Sequence, residues 1–252
     1  MKISDWPDGY GRRMLEEVDS TNSEASRIVN EVSGPEWILG RRQTDGRGRR
    51  GRIWCDPVGN FAATLILHPR ESANQVALRS FVMSLALREA LAKTSDLSRN
   101  FRLKWPNDVL LNNGKVAGIL LESVSAPNGG VRHLFLGVGV NLQNAPSSEY
   151  LEPGSTRPVS LLAETGCCIL PDEFLNVLAV EYARYEAQFQ VFGFEPIREE
   201  WLSNAARVGK TITARTQRAK TVGTFETVDL QGNLVLNTAD GMVSIPAADI
   251  YF

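Results

Sequence analysis

The apolar segments between residues 101 and 142 constrain the fold more than any other part of the chain. Asn113-Gly114 separates two of them, and Asn-Gly between apolar runs is a strong signal for a two-residue β-hairpin turn. A second turn at Asn128–Gly130 leads into Val131–Leu142. Strands that follow one another through tight turns pair antiparallel, so we expect a three-stranded antiparallel meander here.

The last of these segments has two chemically different faces. Every second residue from Leu134 to Leu142 is aliphatic, which predicts a strand face turned toward a core. The opposite face carries Gly137, Gly139 and Asn141. Glycine weakens a strand unless something must lie close to it, so this face indicates either a ligand lying flat, with Asn141 at its edge, or a bulge or a closely packed helix.

The rest of the chain mixes short strands with helices. Apolar spacing predicts strands at Met14–Val18, Trp37–Arg41, Asn60–His68 and Phe101–Trp105. It predicts helices at Asn22–Val32, Asn74–Lys93, Val159–Glu164, Pro171–Phe192 and Glu195–Ala205, the first with a capping box formed by Thr21 and Glu24. From Lys210 onward, short strands and turns predict a small β-barrel. We therefore expect an α+β domain over residues 1–206 and a barrel over 207–252.

Composition argues against several functional classes. The 252 residues carry a formal net charge of -2, whereas proteins that hold a nucleic-acid backbone are usually basic. The sequence contains no apolar run of about 18 residues and no signal peptide, so we expect no membrane association. Three cysteines with neither metal spacing nor a disulfide framework fit a reducing cytoplasm. The two histidines lie on separate segments and favour structural or solvated roles over a metal site.

The segment Gln43–Trp54, here called the Gly/Arg loop, alternates three glycines with four arginines. Glycine lets the backbone approach a ligand closely, and arginine offers a planar fork of donors that matches phosphate and carboxylate. One interpretation is a flexible loop that closes over an anion. The other is a solvated basic turn, or one that contacts nucleic acid.

Ser20-Thr-Asn22 precedes the first predicted helix. The three small polar side chains either cap this helix or present polar groups, together with free N–H groups of the helix end, to a ligand.

Four motifs together resemble the biotin protein ligase family: Gln43-Thr-Asp-Gly-Arg-Gly-Arg-Arg-Gly-Arg52, Lys104-Trp-Pro-Asn-Asp108, Lys115-Val-Ala-Gly-Ile-Leu-Leu-Glu122 and Gly137-Val-Gly-Val-Asn141. Their order and spacing match that family, and Ser20-Thr-Asn22 falls where the family begins its first helix. The resemblance is strong over Val18–Leu142 and weaker elsewhere.

The resemblance implies a fold of the class II synthetase and biotin ligase type, with a mixed, mostly antiparallel sheet flanked by helices and an SH3-like C-terminal barrel. It implies a reaction in two steps. Biotin and ATP, with Mg²⁺, give biotinyl-5′-adenylate and pyrophosphate, and the biotinyl group then passes to a lysine of a biotin carboxyl carrier protein. We expect a monomer or a weak homodimer. Because Ser20 lies close to the first residue, we expect a form without the operator-binding helix-turn-helix of some members, and no DNA partner.

The resemblance also assigns site residues. Those implied for biotin are Ser20, Thr21, Asn22, Gln43, Arg47, Gly48, Arg49, Lys115 and Gly118. Those implied for ATP are Arg52, Trp54, Lys104, Asn107 and Asn141, with Trp54 stacking near the adenine. The reacting carboxylate and α-phosphate are both anions, so Lys115 and Arg49 are the expected catalytic cations. Asp108 is our candidate to orient or deprotonate the acceptor lysine. No resident metal site is expected.

Two alternatives compete with this interpretation. A lipoate-type ligase uses a related scaffold for a different acid, although the combination of Lys104-Trp-Pro-Asn-Asp108 with the Gly/Arg loop favours biotin. The second alternative is a non-enzymatic regulatory or nucleic-acid-binding protein that uses the arginines. The net charge of -2 argues against it.

Overall fold

The computed structural model describes residues 6–127, 130–147, 155–216 and 219–252. Its larger sheet has seven strands, in the spatial order β1-β2-β3-β7-β6-β5-β4. Their bounds are Gly11–Leu15 (β1), Glu36–Gly40 (β2), Phe61–Leu67 (β3), Phe101–Lys104 (β4), Asp108–Leu111 (β5), Gly114–Ser125 (β6) and Val131–Val140 (β7). The β1–β2 pair is parallel, and the other neighbouring pairs are antiparallel. This confirms the predicted meander and the mixed, mostly antiparallel sheet.

Helices lie on both faces of this sheet. Their bounds are Thr21–Ile28 (α1), Ala73–Ala77 (α2), Arg79–Ser95 (α3), Leu161–Thr165 (α4), Pro171–Phe192 (α5) and Phe194–Asn204 (α6). Short 3₁₀ turns lie at Val29–Glu31, Arg49–Gly51 and Ser98–Asn100. The long helix predicted at Asn74–Lys93 is therefore two helices that meet at Leu78. A capping box of Ser72 and Gln75 begins the first of them.

The main core lies between the sheet and the pair α3–α5. Trp37 of β2 meets Tyr182 of α5 edge to face at 6.1 Å, and Phe61 of β3 meets Phe174 of α5 at 5.0 Å. Such pairs contribute about 0.5–1.5 kcal/mol beyond the burial of their area. Helix α1 packs on the opposite face through a smaller apolar cluster: Ala25, Ile28, Val29, Ile38, Ile66 and Phe135. The glycine face of β7 is therefore the α1 face.

Two local predictions at the meander are corrected. The β5–β6 turn is made by Asn112 and Asn113, with φ of 48° and 66°, rather than by Asn113-Gly114. Asparagine tolerates this left-handed region, which type I′ hairpin turns require. Gly114 already pairs with Leu111, and a Cβ on Gly114 would lie 2.3 Å from the Val159 side chain. Of the predicted turn at 128–130, residues 128 and 129 lie outside the described residues.

The start of α1 also differs from the prediction. Ser20 is the N-cap, with φ -152° and ψ 136°, and Thr21 is the first helical residue, so the predicted capping box does not form. The Thr21 hydroxyl turns instead toward Gln43 and Thr64. Tertiary partners therefore replace the local cap.

The C-terminal region forms a five-stranded antiparallel sheet in the order β11-β10-β9-β8-β12. Its strands are Thr211–Arg215 (β8), Lys220–Val228 (β9), Leu234–Thr238 (β10), Gly241–Ile245 (β11) and Asp249–Tyr251 (β12). This arrangement is consistent with the predicted SH3-like barrel. The barrel contacts the larger domain, since the Trp105 indole Nε1–H donates to the Gly232 carbonyl at 3.0 Å.

The two histidines lie close together, although they belong to separate segments of the sequence. His68, which directly follows β3, and His133 of β7 lie with their Nδ1 atoms 2.9 Å apart. The three cysteines are free thiols. Within the described ranges, no helix combines the length and apolar character needed to cross a membrane.

Candidate active site

One cavity of about 540 Å³ opens on the α1 face of the large sheet. The fifteen residues singled out from the sequence all line it: Ser20, Thr21, Asn22, Gln43, Arg47, Gly48, Arg49, Arg52, Trp54, Lys104, Asn107, Asp108, Lys115, Gly118 and Asn141. The start of α1, the Gly/Arg loop, the β4–β5 turn, β6 and β7 therefore converge on a single space. The barrel closes one side with residues of β12.

The floor of the cavity is made of strand glycines. A Cβ on Gly137 would lie 2.5 Å from Asn22 Oδ1, and a Cβ on Gly139 would lie 2.3 Å from the Trp54 ring. Both distances are shorter than real Cβ contacts. The alternate glycines thus admit side chains from α1 and from the Gly/Arg loop onto the strand surface. The strand pairing is regular at both positions, so the bulge alternative is excluded.

Polar groups cluster where α1 begins. The Thr21 backbone N–H donates to Gln43 Oε1 at 2.9 Å, and the Thr64 hydroxyl lies 2.8 Å from the Thr21 hydroxyl. Thr64 Oγ1 also donates to Asn22 Oδ1 at 2.6 Å, while Asn22 Nδ2 donates to Glu122 Oε2 at 2.6 Å. These groups give one end of the cavity a fixed set of hydrogen-bonding directions.

The Gly/Arg loop folds back on itself as a small hairpin. The Gly48 N–H donates to the Arg52 carbonyl at 2.8 Å, and the Trp54 N–H donates to the Gly46 carbonyl at 2.9 Å. Arg50 and Gly51 make the reversal with φ of 58° and 71°. Glycine is free to adopt this region, which suits Gly51 to the turn.

Two arginines of this hairpin contact other parts of the cavity wall. Arg47 Nη2 donates to Ser23 Oγ at 2.8 Å, which ties the loop to α1. Arg49 Nη1 donates to Asn107 Oδ1 at 3.3 Å, which ties it to the β4–β5 turn. Burial lowers the pKa of Arg49, while Asp249 and Asp108 oppose that effect. Because arginine stays protonated in proteins, Arg49 brings a partly buried positive charge into the cavity.

Lysines supply further positive charge at this end. Lys115 Nζ lies 2.7 Å from Asp108 Oδ1 and 5.7 Å from the Trp54 ring centre. Lys104 is only 8% exposed and donates to Thr156 Oγ1 at 2.7 Å. Burial lowers the pKa of Lys104, and the charge of Asp108 works against this shift. The cavity is therefore neutral and polar at one end and cationic at the other.

Comparisons with known proteins identify the family of this chain. The family model described as the biotin/lipoate A/B protein ligase family matches residues 14–141, and the model of the biotin protein ligase C terminal domain matches residues 208–252. This chain belongs to the biotin/lipoate A/B protein ligase family. A biotin--[acetyl-CoA-carboxylase] ligase of Paracoccus denitrificans is 50% identical to it over 239 residues, covering 95% of this chain and 99% of the relative.

More distant members of the family also align along most of the chain. The bifunctional ligase/repressor BirA of Escherichia coli is 25% identical over 94% of this chain and 72% of its own length. Among solved structures, the biotin protein ligase of Aquifex aeolicus in complex with biotin and ATP superimposes with a TM-score of 0.80 at 26% identity, covering 95% of this chain and 97% of that one.

The two asparagines assigned to the ATP side, Asn107 and Asn141, each donate to a backbone carbonyl. Asn107 Nδ2 donates to the Ile119 carbonyl at 2.6 Å, which leaves its Oδ1 for Arg49. Asn141 Nδ2 donates to the Val159 carbonyl at 3.0 Å. The Asn141 Oδ1 atom is buried without a hydrogen-bond partner, so this ligase has one unused acceptor in the cavity wall.

Sequence reasoning missed several residues that shape the site. Asp249 of β12 accepts from Arg50 at 2.6 Å and from Arg52 at 2.7 Å, which joins the barrel to the Gly/Arg loop. Asp249 is about 200 positions from the arginines, and an acidic residue in a short strand carries no local signal. Thr64 and Glu122 were missed as well, although period-two spacing from Gly118 places Glu122 on the same strand face.

Proposed function

We propose that this chain is a biotin protein ligase that converts biotin and ATP to biotinyl-5′-adenylate and pyrophosphate, then transfers biotin to a lysine of a biotin carboxyl carrier protein. One observation carries the proposal. A single cavity joins a neutral hydrogen-bonding end to a cationic end that includes Lys115. The substrates are divided in a matching way. The head group of biotin is neutral, whereas its carboxylate and the triphosphate of ATP are anionic.

The neutral end suits the ureido head of biotin. Ser20, Thr21 and Asn22 are each less than 5% exposed and sit beside Gln43 on the glycine floor. A buried head group needs a few placed polar groups in an apolar surround. Gly118 belongs to the same floor, where a Cβ would lie 3.3 Å from the Lys115 side chain.

The junction is where the carboxylate attacks the α-phosphate. Lys115, together with Arg47 and Arg49 of the loop and the Gly48 backbone, would hold the two anions together. Cations fixed before the reaction stabilise the charge that develops in the transition state, at no cost of reorganisation. The mixed anhydride is itself the activated species, so no side-chain nucleophile is required.

The cationic end would hold the nucleotide. Arg52, Lys104 and Asn107 line the triphosphate side, and Asn141 offers its unpaired oxygen to the ribose or a phosphate group. Trp54 presents a flat ring beside Lys115, where we expect it to stack near the adenine. Mg²⁺ would arrive with ATP, and the carboxylates available among the described lining residues are Asp108 and Asp249.

In the second step the acceptor lysine must lose a proton before it attacks the adenylate. Asp108 lines the cavity and lies next to Lys115, so it is placed to orient or deprotonate the incoming amine once substrates engage Lys115. The domain boundary near residue 206, a cytoplasmic location and a monomeric or weakly dimeric state remain predictions.

ATP–pyrophosphate exchange, measured with biotin or with lipoate as the carboxylic acid substrate, tests the proposal. The purified chain should exchange pyrophosphate with biotin and not with lipoate, and it should then label a biotin carboxyl carrier protein. Exchange supported by lipoate alone would favour the alternative ligase. A shift of DNA at physiological salt without any exchange would favour the nucleic-acid-binding alternative.

A further inference from the structure

A continuous chain of hydrogen bonds runs from the neutral end of the cavity to a carboxylate. Thr21 Oγ1 lies 2.8 Å from Thr64 Oγ1, and Thr64 Oγ1 lies 2.6 Å from Asn22 Oδ1. Asn22 Nδ2 then lies 2.6 Å from Glu122 Oε2. The first three side chains are buried, with exposures of 4% for Thr21, 0% for Thr64 and 4% for Asn22.

The carboxylate fixes the direction of every bond in this chain. An ionised carboxylate only accepts, so the amide atom of Asn22 that faces Glu122 must be the nitrogen. The amide oxygen then faces Thr64, which must donate its single proton to it. Thr64 is left with lone pairs only, so the 2.8 Å contact requires Thr21 to be the donor.

The consequence appears at the cavity end. Thr21 uses its single proton toward Thr64, while Gln43 Oε1 accepts from the Thr21 backbone N–H at 2.9 Å. A hydroxyl oxygen carries two lone pairs, and those of Thr21 remain available to the cavity. The Thr21 hydroxyl is therefore held as an acceptor.

The floor leaves little freedom for the chain to rearrange. A Cβ on Gly137 would lie 2.5 Å from Asn22 Oδ1 and 3.2 Å from Asn22 Nδ2, so the amide lies flat on the strand at a position that only glycine permits. Burial keeps water from supplying a substitute partner, and leaving a buried polar group unpaired costs about 1–3 kcal/mol.

We propose that Glu122 is a positioning residue that sets the hydrogen-bond polarity of the head-group end and makes Thr21 an acceptor for a ring N–H of the ureido group. The inference rests on the proposed function, because it concerns the same ligand. Glu122 acts through Asn22 and Thr64 and does not itself touch the ligand.

Glu122→Gln tests this directly because it keeps the shape and removes the charge. The new amide can donate to Asn22, which lets the Asn22 amide turn over, donate to Thr64 and leave Thr64 to donate to Thr21. One of the two Thr21 lone pairs then accepts from Thr64, and the Thr21 proton is no longer held inside the chain, so the hydroxyl is no longer fixed as an acceptor for the ligand. We expect the KM for biotin to rise about 10- to 100-fold, with kcat at saturating biotin changed by less than about three-fold.

Two further variants separate polarity from packing. Glu122→Asp shortens the side chain and keeps the carboxylate, so it should impair biotin binding less than the isosteric Glu122→Gln. Asn22→Asp alone places two carboxylates against each other and should weaken biotin binding. Combining it with Glu122→Gln moves the terminal carboxylate one residue along the chain, so the double variant should recover most of the lost affinity.

Ligand analogues provide an independent measurement on the single variant. In the two cyclic carbamates one ring N–H of biotin is replaced by oxygen. The wild-type enzyme should discriminate strongly against one of them, and Glu122→Gln should reduce that discrimination about ten-fold.

These results can also overturn the inference. A biotin KM within two-fold of wild type in a folded Glu122→Gln variant, or a double variant no better than its single parents, would contradict it. Equal losses for biotin and both carbamates would indicate a packing role instead. Exchange measured on the wild-type enzyme distinguishes failure of the inference from failure of the proposed function. If the wild type shows no biotin-dependent exchange, both are overturned.

Discussion

The Lys115 ammonium and the Asp108 carboxylate lie 2.7 Å apart in the wall of the cavity. Both are partly shielded, with side-chain exposures of 30% and 16%. The pairing of β5 with β6 brings the two residues together: Asp108 stands opposite Gly118, and a register shift between Val109 and Leu110 places Lys115 opposite Leu110. The bound carboxylate and α-phosphate must therefore compete with Asp108 for the lysine.

Lys115→Ala should slow adenylate formation. Its charge acts where the transition state becomes more anionic, and removing one such donor typically costs about 10²–10³ in kcat. Rapid-quench single-turnover measurement of adenylate formation checks this. Thr21→Ala is the contrasting variant, expected to raise the KM for biotin with little change in kcat. Adenylate formation within a few-fold of wild type in Lys115→Ala would mean that the assigned role is wrong.

Arg49→Gly should release the intermediate. Arg49 is partly buried in the Gly/Arg loop and donates to Asn107 Oδ1 at 3.3 Å, and its charge would bind the phosphate side of the adenylate. A hydrogen bond to a charged group contributes about 1.5–3 kcal/mol, so release should be roughly 10- to 100-fold faster. The added backbone freedom acts in the same direction.

Released adenylate acylates free amines, so bystander proteins incubated with this variant, biotin, ATP and Mg²⁺ should become biotinylated. Turnover on the carrier protein should fall at the same time. A variant that forms adenylate at the normal rate yet labels bystander lysines no more than wild type would contradict the prediction.

Gly139→Ala should displace Trp54 from the floor. The added methyl would lie 2.3 Å from the ring, and the ring belongs to a loop that can move more readily than the strand. We expect about ten-fold weaker adenylate binding with a nearly unchanged Tm. Gly34→Ala is the matched control, since its nearest atom outside the adjoining residues is 3.9 Å away. Equal adenylate affinity in both variants would show that Trp54 contributes little.

Patterns that depend on neighbouring residues were predicted well from the sequence. The strand Val131–Val140 and its glycine face follow from period-two spacing, and the helix Pro171–Phe192 follows from proline at its start and its apolar spacing. The start of α1 was misjudged because Thr21 bonds to Gln43 and Thr64, which lie 22 and 43 positions away. Local capping rules do not include such partners.

The same distinction applies to the site. Residues carried by motifs, such as Lys115 and Arg49, were named from the sequence and line the cavity. Asp249 completes it from a distant strand, where a single carboxylate is ordinary surface composition, and Glu122 completes it from the end of a motif in which it had been given no role. The groups that donate hydrogen bonds to these two carboxylates can be identified only in the folded structure.

Asp249→Asn should loosen the attachment of the Gly/Arg loop to the barrel. Asp249 Oδ2 accepts from both Arg50 and Arg52, and the arginines are 31% and 45% exposed. Partly exposed ion pairs contribute only about 0–1 kcal/mol, so global stability should change little. Amide exchange over residues 49–54 should nevertheless become faster. Biotin plus ATP should slow this exchange in both the wild type and the variant. If exchange in the ligand-free variant equals that of the ligand-free wild type, Asp249 does not hold the loop to the barrel.

Asp56 should make stability depend on pH. Asp56 Oδ2 accepts from the Gln43 backbone N–H at 3.2 Å, while its Oδ1 is buried without a partner. Burial raises the pKa of Asp56 from 3.8 to about 6, and the bonds to Gln43 oppose the shift. The folded protein therefore binds this proton more tightly than the unfolded chain does.

Stability contributed by that proton is complete below about pH 4 and is lost as pH rises through about 6, because the buried carboxylate must then ionise. Asp56→Asn keeps the acceptor for Gln43 and removes the titration. Its free energy of unfolding should exceed that of wild type by about 1–3 kcal/mol at pH 7, from about 1.4 kcal/mol per pKa unit. Urea unfolding of both proteins between pH 4 and pH 8 measures the difference, which should shrink toward zero at the acidic end. A difference that stays constant across this range would mean that Asp56 does not titrate as its burial requires.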